Sequence, residues 1–382
     1  MKPRVLLVRP TGSKGGGMMR VADYLLAHAD GTGVDFATLD ARGDGPVLFT
    51  PLVFARESAR MHRMIRQGRI QLVHVFVGDR LSLLRKCAVA RIALTAGAPV
   101  VLHLHAYALG EFLECLPGFV GDFVARVFRD SASIVVLGPA AAQEVATRFC
   151  VEPARIRIVA NGVDAPSIRP TADARSTRRF LFCGNASERK GVGLLLGAFA
   201  APAVQATGAT LVLVGGGDLP RYKELARSLG IGDRVEFAGW QDRPTVSRLM
   251  SSCRALVLPS YYEALPLAVL EALGHGLPCI ATPVGELSAY TDRVAAIRYV
   301  APGDLEGLAA AVQAIATDDA LASRYSDEGR KLFERFFSVS SFNASVHEVY
   351  RSVLSGRESA RSDPVEPVAG AVHFAQTGRR RR

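Results

Sequence analysis

Short, uninterrupted apolar runs alternate with longer segments of helical period through the first 335 residues. The runs are RVLLV (4–8), VDFATL (34–39), LVHVFV (72–77), PVVLHLH (99–105), SIVVL (133–137) and RIRIVA (155–160), then RRFLFCG (178–184), TLVLVG (210–215), RVEFAG (234–239), ALVLPS (255–260) and PCIATPVG (278–285). Between them, segments such as MMRVADYLLAHA (18–29) and AAAQEVATRFC (140–150) carry the helical period. Strands that are apolar along their length and separated by helices belong to parallel sheets covered on both faces, so the expected class is α/β. The alternation pauses at DAPSIRPTADARST (164–177), which is polar, holds two prolines and has no period. After residue 336 it stops, and FSVSSFNASVHEVYRSVL (337–354) predicts one capped terminal helix. The polar stretch from about Gly356 to the closing GRRRR is expected to be disordered. The expected organisation is a domain over 1–164, a linker over 165–177, a second domain over 178–335, a crossover helix over 336–355 and a basic tail over 356–382.

A length of 382 residues agrees with two cores, since single cores rarely grow past roughly 250 residues. Six cysteines stand singly, with no CxxC pair and no His at metal-ligand spacing, which predicts small buried thiols in a reducing compartment. RVLLV is too short for the apolar region of a secretory signal, and no window holds about 18 uninterrupted apolar residues, so a cytoplasmic location is expected. Basic residues exceed acidic ones by six in 1–164, by one in 165–355 and by three in 356–382. That asymmetry suits an anionic membrane surface or another anionic partner. Nucleic acid is not expected, because zinc-finger spacing, an aromatic RNA-binding strand and a basic helix with heptads are all missing from the sequence.

Directly behind the first strand lies TGSKGGGMMR (11–20). Gly12 and Gly17 have P-loop spacing, but Met18 and Met19 stand where Lys and Ser or Thr would contact phosphate and magnesium. A GxGxxG fingerprint fails as well, since Arg20 occupies the third glycine position. Three consecutive glycines still permit close backbone approach in front of a helix N-terminus, or simply a tight turn. The chemistry is denser in the second half. SYYEALPLAVLEALGHGLP (260–278) places Glu263 on a loop and Glu271 inside a helix, with Pro266 suited to its first residue. The surroundings of Glu271 are apolar, and a buried carboxylate needs a partner. Arg189 and Lys190 fall between a strand and a helix, where two adjacent cations suit a diphosphate.

The order of NGVD (161–164), FCGNASERKG (182–191), VGGGD (214–218), VEFAGW (235–240) and PSYYEALPLAVLEALGHGLPCIATPVGE (259–286) resembles the family 4 glycosyltransferases, retaining enzymes of the GT-B fold that use nucleotide sugars. The resemblance covers the chain to about residue 355. It implies two Rossmann-like domains facing a cleft, with a C-terminal helix returning to the first. It further implies that Arg189 and Lys190 hold the donor diphosphate, that Glu263 lies near the transferred sugar, and that Glu271 meets the nucleotide ribose. Backbone at Ala264, Leu265, Pro266 and Leu267 would touch sugar or phosphate, beside Gly184 and Gly215, and Asn161 is a further candidate. Gly15, Gly16 and Gly17 match the glycine loop that closes over the diphosphate from the first domain. The family's histidine at the end of the fourth strand is matched best by His105, with His103 as the alternative or a core residue. Trp240 lies near the base-binding region. Ala106 and the GGGD turn depart from the family pattern, and Asp218 could alter donor choice.

In this family a front-face displacement is the usual proposal for retention, with the diphosphate leaving on the side the acceptor enters. There is no DxD sequence, so neither an essential metal nor a cofactor beyond the nucleotide-sugar substrate is expected. The expected acceptor is a glycan or a lipid-linked saccharide of cell-surface polysaccharide or glycolipid synthesis. RESARMHRMIRQGR, which opens at Arg56 and closes at Arg69, reads either as a solvated helix face or as a helix lying on anionic headgroups, with Met61, Met64 and Ile65 on another face. Two rival functions are an inactive binding subunit of the same fold and a nucleotide-sugar epimerase or hydrolase.

Overall fold

The computed structural model describes residues 2–10, 16–28, 33–43, 47–106, 109–166, 177–291 and 295–356. Within them the apolar runs form two separate six-stranded parallel sheets. The first sheet comprises β1 (Arg4–Val8), β2 (Asp35–Leu39), β3 (Leu72–Val77), β4 (Val100–Leu104), β5 (Ser133–Val136) and β6 (Ile156–Ile158), in the order β2-β1-β3-β4-β5-β6. Its helices are α1 (Gly17–Ala27), α2 (Thr50–Arg66), α3 (Leu81–Thr95), α4 (Leu109–Glu114), α5 (Gly118–Asp130) and α6 (Pro139–Phe149).

The second sheet comprises β7 (Arg179–Cys183), β8 (Thr210–Val214), β9 (Val235–Gly239), β10 (Ala255–Leu258), β11 (Cys279–Ala281) and β12 (Arg298–Tyr299), in the order β12-β11-β10-β7-β8-β9. Its helices are α7 (Val192–Ala200), α8 (Pro202–Ala206), α9 (Leu219–Ser228), α10 (Arg243–Ser252), α11 (Leu267–His275), α12 (Leu287–Thr291), α13 (Leu305–Thr317) and α14 (Asp319–Phe336). α15 (Val339–Ser355) closes the described chain.

Period-two alternation sorts each strand between two cores. In the first sheet Leu6, Val8, Val73, Val75, Leu102 and Ile134 face α2, α3 and α5. Val5, Leu7, Phe76, Val101 and Val135 face the opposite way, and there α15 completes the layer with Phe342, Val346, Val349 and Tyr350. Those four helix positions recur at the spacing of one helical stripe. Ser338 caps α15 by accepting from Ser341 N at 3.2 Å, and Val163 N donates to Phe337 O (2.8 Å) while Val339 N donates to Val163 O (3.1 Å). The two passages between the domains therefore lie side by side.

The expectation of buried thiols holds for Cys87, Cys253 and Cys279 but not for Cys115 and Cys150, which are exposed, while Cys183 is half-buried. Several expectations change. The two-residue β12 has no counterpart in the apolar runs, and β11 ends at Ala281, well short of residue 285. Pro266 is the N-cap of α11 rather than its first residue. Met61 and Ile65 are buried in the first domain's core and Met64 packs against it, so this face of α2 is turned inward. Its outward ridge is Leu52, Arg56, Ala59, Arg63 and Arg66, all exposed. Most of the linker (167–176) and the tail from residue 357 lie outside the described residues.

Candidate active site at the interdomain cleft

The second sheet reverses its strand order between β7 and β10, and ligands of open α/β sheets bind outside the strand ends at such a switch point. Arg189 and Lys190 follow β7, and Glu263 follows β10. The structure brings the three together: Lys190 Nζ pairs with Glu263 Oε1, and Arg189 Nη1 stands 3.5 Å from Oε2. Ser260 Oγ donates to Glu263 Oε1 at 2.8 Å, and Arg189 Nη1 donates to Tyr262 O at 2.7 Å.

Two left-handed glycines make this packing possible. At Gly191 (φ 66°) a Cβ would fall 2.1 Å from Pro259 O, and at Gly285 (φ 67°) one would fall 2.3 Å from Glu263 O. The loop bearing Glu263 is thus pressed between backbone on both sides. Gly184 and Gly215 end adjacent strands, with Gly184 N donating to Val214 O at 2.8 Å. Asp218 caps α9 by accepting from Arg221 N.

Across the cleft, α1 begins at Gly17 behind its N-cap Gly16; Gly15 lies outside the described residues. A Cβ at Gly17 would lie 3.2 Å from Leu267 Cδ1, so the first turn of α1 meets the first turn of α11. Neither helix has a side-chain cap. Two uncapped N-termini that meet near the loop held by Arg189 and Lys190 bring unpaired N–H groups and positive dipole ends together, an arrangement that favours an anion. Ala264, Leu265 and Pro266 connect Glu263 to α11, with Leu265 and Pro266 buried.

Glu271, in the second turn of α11, has the partner its burial demands: Arg20 Nη1, from α1 of the other domain, donates to its Oε1. Burial pushes the Glu271 carboxyl up, against the opposing pull of Arg20 and, more weakly, Arg243. Arg243 also stacks over the Tyr24 ring at 4.8 Å and reaches Asp164 Oδ2 at 3.3 Å, while His28 Nε2 lies 3.7 Å from Asp164 Oδ1. A second seam joins the domains at α6. Gly138, its N-cap, has no side chain to cap it, and Glu286 of the second domain accepts from Ala140 N (3.2 Å) and Ala141 N (2.5 Å) instead. Tyr290 Oη donates to Leu137 O at 2.6 Å.

His103 and His105 do share one face of β4, as alternation required. His103 is fully buried, with both ring nitrogens unpartnered, and stacks between His74 and His105 at 5.3 and 4.3 Å. His105 is half-buried at the strand's end, its Nε2 unpartnered. Burial pushes the His105 imidazole down to about 3, so it is neutral near pH 7. Asn161 is buried with its Oδ1 unpartnered, and Trp240 is 73% exposed just beyond β9. Arg20, Arg243, Asp164, Glu286 and Tyr290 were not anticipated as site-forming residues. Arg20 and Glu286 nevertheless stand inside the two quoted motifs, and their partners lie too far away in sequence for spacing to expose them.

Two family models match the chain, Glycosyltransferase Family 4 over residues 16–166 and Glycosyl transferases group 1 over residues 177–318. The chain is 28% identical over 269 residues to glycogen synthase of Mycobacterium tuberculosis, an alignment that covers 68% of this chain and 64% of that protein. It is also 28% identical over 251 residues to the lipopolysaccharide core biosynthesis glycosyltransferase LpsE of Rhizobium meliloti, covering 62% and 69% of the two chains. Among solved structures, Anabaena Alr3699/HepE in complex with UDP and glucose superposes with a TM-score of 0.72 at 17% identity, covering 92% of this chain and all of that one. The fold is thus a two-domain GT-B fold. The chain belongs to the family 4 glycosyltransferases, and it spans less than two thirds of the length of the glycogen synthase it matches.

Proposed function

We propose that this chain transfers a sugar, with retention of anomeric configuration, from a UDP- or GDP-linked donor to a glycan or lipid-linked saccharide of cell-surface polysaccharide or glycolipid synthesis. One observation carries the reading: the Glu263 carboxylate is held by Lys190 and Arg189 at the switch point of the second sheet, on the loop that leads into α11, whose first turn meets α1. In this reading Arg189, Lys190 and the two helix N-termini take up the negative charge that develops on the departing diphosphate. Preorganised donors of that kind contribute about a hundredfold or more each. Glu263, already oriented by Ser260 and Lys190, positions the transferred sugar rather than attacking it, and neutral His105 offers a hydrogen bond to a sugar hydroxyl. The departing diphosphate accepts the acceptor's proton on the same face. Gly16, Gly17 and the backbone of residues 264–267 enclose the diphosphate, Glu271 receives the ribose, and Trp240 offers a face to the base.

The charge on the diphosphate is assigned here to protein groups rather than to a divalent ion. The experiment is a thermal-shift screen against UDP, GDP, ADP and their sugar conjugates, with and without EDTA. Stabilisation by one nucleotide, unchanged by EDTA, is expected; no shift with any of them would favour a binding subunit instead. The ridge of Arg56, Arg63 and Arg66, continued by exposed Leu48, Phe49 and Leu52, supports a peripheral location on an anionic membrane that presents a lipid-linked acceptor. The relative LpsE bears a name from lipopolysaccharide core synthesis, which agrees with such an acceptor.

A further inference from the structure

We infer that Arg20 is a positioning residue for the nucleotide: it holds Glu271 ionised and aimed, and so makes the ribose contact depend on both domains. The inference rests on the donor reading above and goes beyond it in assigning a role to a residue of the first domain. Among the described residues, Arg20–Glu271 is the ion pair that joins a helix of one domain directly to a helix of the other. Its two side chains are 36% and 15% exposed, so the carboxylate is the better shielded partner.

A ribose diol presents two O–H donors, and a carboxylate offers a charged acceptor oxygen to each, whereas a protonated carboxyl turns one oxygen into a donor and loses the charge. The surroundings of Glu271 work against that state. Desolvation favours protonation, and so does the nearby Asp164, which precedes the linker. Tyr24 of α1 and the Cys183 thiol at the end of β7 also face it, and both are themselves held neutral, chiefly by burial. Among the described residues two cations oppose this, Arg20 in contact and Arg243 of α10 at longer range, and Arg243 is also engaged by Asp164 and the Tyr24 ring. Removing Arg20 therefore removes the larger of two supports for the charge and the only one that fixes the carboxylate's direction.

Arg20 lies in the first turn of α1, immediately behind Gly16 and Gly17. Any movement that draws the glycine turn away from α11 also draws the guanidinium away from Glu271. Nucleotide affinity and cleft closure become linked quantities, each strengthening the other by the same factor.

The test is calorimetric titration of UDP, GDP and ADP in turn into the wild type, Arg20→Ala, Arg20→Lys, Glu271→Gln and the double variant Arg20→Ala/Glu271→Gln. Titrations run between about pH 6 and 8.5, after each variant has been shown to melt cooperatively. The useful form of Glu271 is the deprotonated one, present above its pKa and lost as pH falls through it; losing Arg20 raises that pKa and moves the loss to higher pH. Arg20→Ala is expected to bind about tenfold more weakly at the acid end than at the alkaline end, against about threefold or less for the wild type. Arg20→Lys should lie between them. Glu271→Gln should bind weakly at every pH, with little further loss on adding Arg20→Ala. A uniform loss in Arg20→Ala, or none, would overturn the inference while leaving the donor reading intact. Failure of the wild type to bind any of the three nucleotides would overturn the donor reading, and this inference with it.

Discussion

Substituting Glu286 by Ala removes the side chain that caps α6 from the opposite domain. The first-turn N–H groups of Ala140 and Ala141 then lose their acceptor, and Gly138 has nothing to offer in its place. Loss of an N-cap costs about 0.5–2 kcal/mol. Hydrogen bonds to a charged acceptor are worth somewhat more, about 1.5–3 kcal/mol, but here burial pushes the carboxyl up despite the pull of both N–H groups, which means that desolvation consumes part of the gain. A net loss of about 1–2 kcal/mol follows, and because the contact exists only while the domains touch, it falls on closure, shifting that equilibrium by about 5–30-fold. The donor KM should rise by a factor in that range with a smaller change in kcat, and small-angle scattering of the free protein should show a more extended particle. Glu286→Gln keeps an acceptor oxygen without burying a charge and should stay near the wild type. Its raised pKa also means that ionising Glu286 costs part of the contact: the contribution is greatest below the ordinary carboxyl value and diminishes as pH rises through the raised one, a trend that the Gln variant should flatten. Wild-type scattering and wild-type KM in Glu286→Ala would refute the reasoning outright.

Other outcomes can be checked independently. Glu263→Ala and Lys190→Ala should each lower transfer at least about a hundredfold in a single-turnover assay while the protein still melts cooperatively, and unchanged turnover in both would remove the site assignment. His74 Nδ1 and Tyr350 Oη are 2.5 Å apart in a buried layer. Tyr350→Phe should therefore cost about 1–2 kcal/mol in denaturant unfolding, because the imidazole nitrogen loses its partner, and an unchanged midpoint would show that His74 finds another. Reversing charge at Arg63 and Arg66, both exposed on the outer ridge of α2, should weaken binding to phosphatidylserine vesicles, as added salt should in the wild type. Binding indifferent to both changes would count against a membrane role.

Much of the fold was legible because buried parallel strands write themselves as apolar runs. LVHVFV and TLVLVG could be little else, and their strands start where the runs start. β12 could not be seen, since a two-residue edge strand leaves no period to detect. The arginine-rich helix left two readings open for a different reason: periodicity reveals that Met61, Met64 and Ile65 share a face, but not that this face meets the protein's own core. In the site, Arg189, Lys190 and Glu263 were legible because each follows a strand end of one sheet. The demand of Glu271 for a partner was legible as well. The identity of that partner was not, because Arg20 lies 251 residues away and only the docking of two domains brings them together.

The placement of α15 bears on how the chain is made. Val5, Leu7, Phe76, Val101 and Val135 are sealed by Phe342, Val346 and Tyr350, and the whole second domain is encoded between those two groups. A ribosome working from the N-terminus therefore releases a first domain with one sheet face only partly covered, by Val21, Ala22 and Leu25 of α1, while the second has all its strands in one stretch. Domains more often finish in the order they are synthesised. In this chain the covering of the earlier domain is completed only by α15, which is encoded after the whole of the later one.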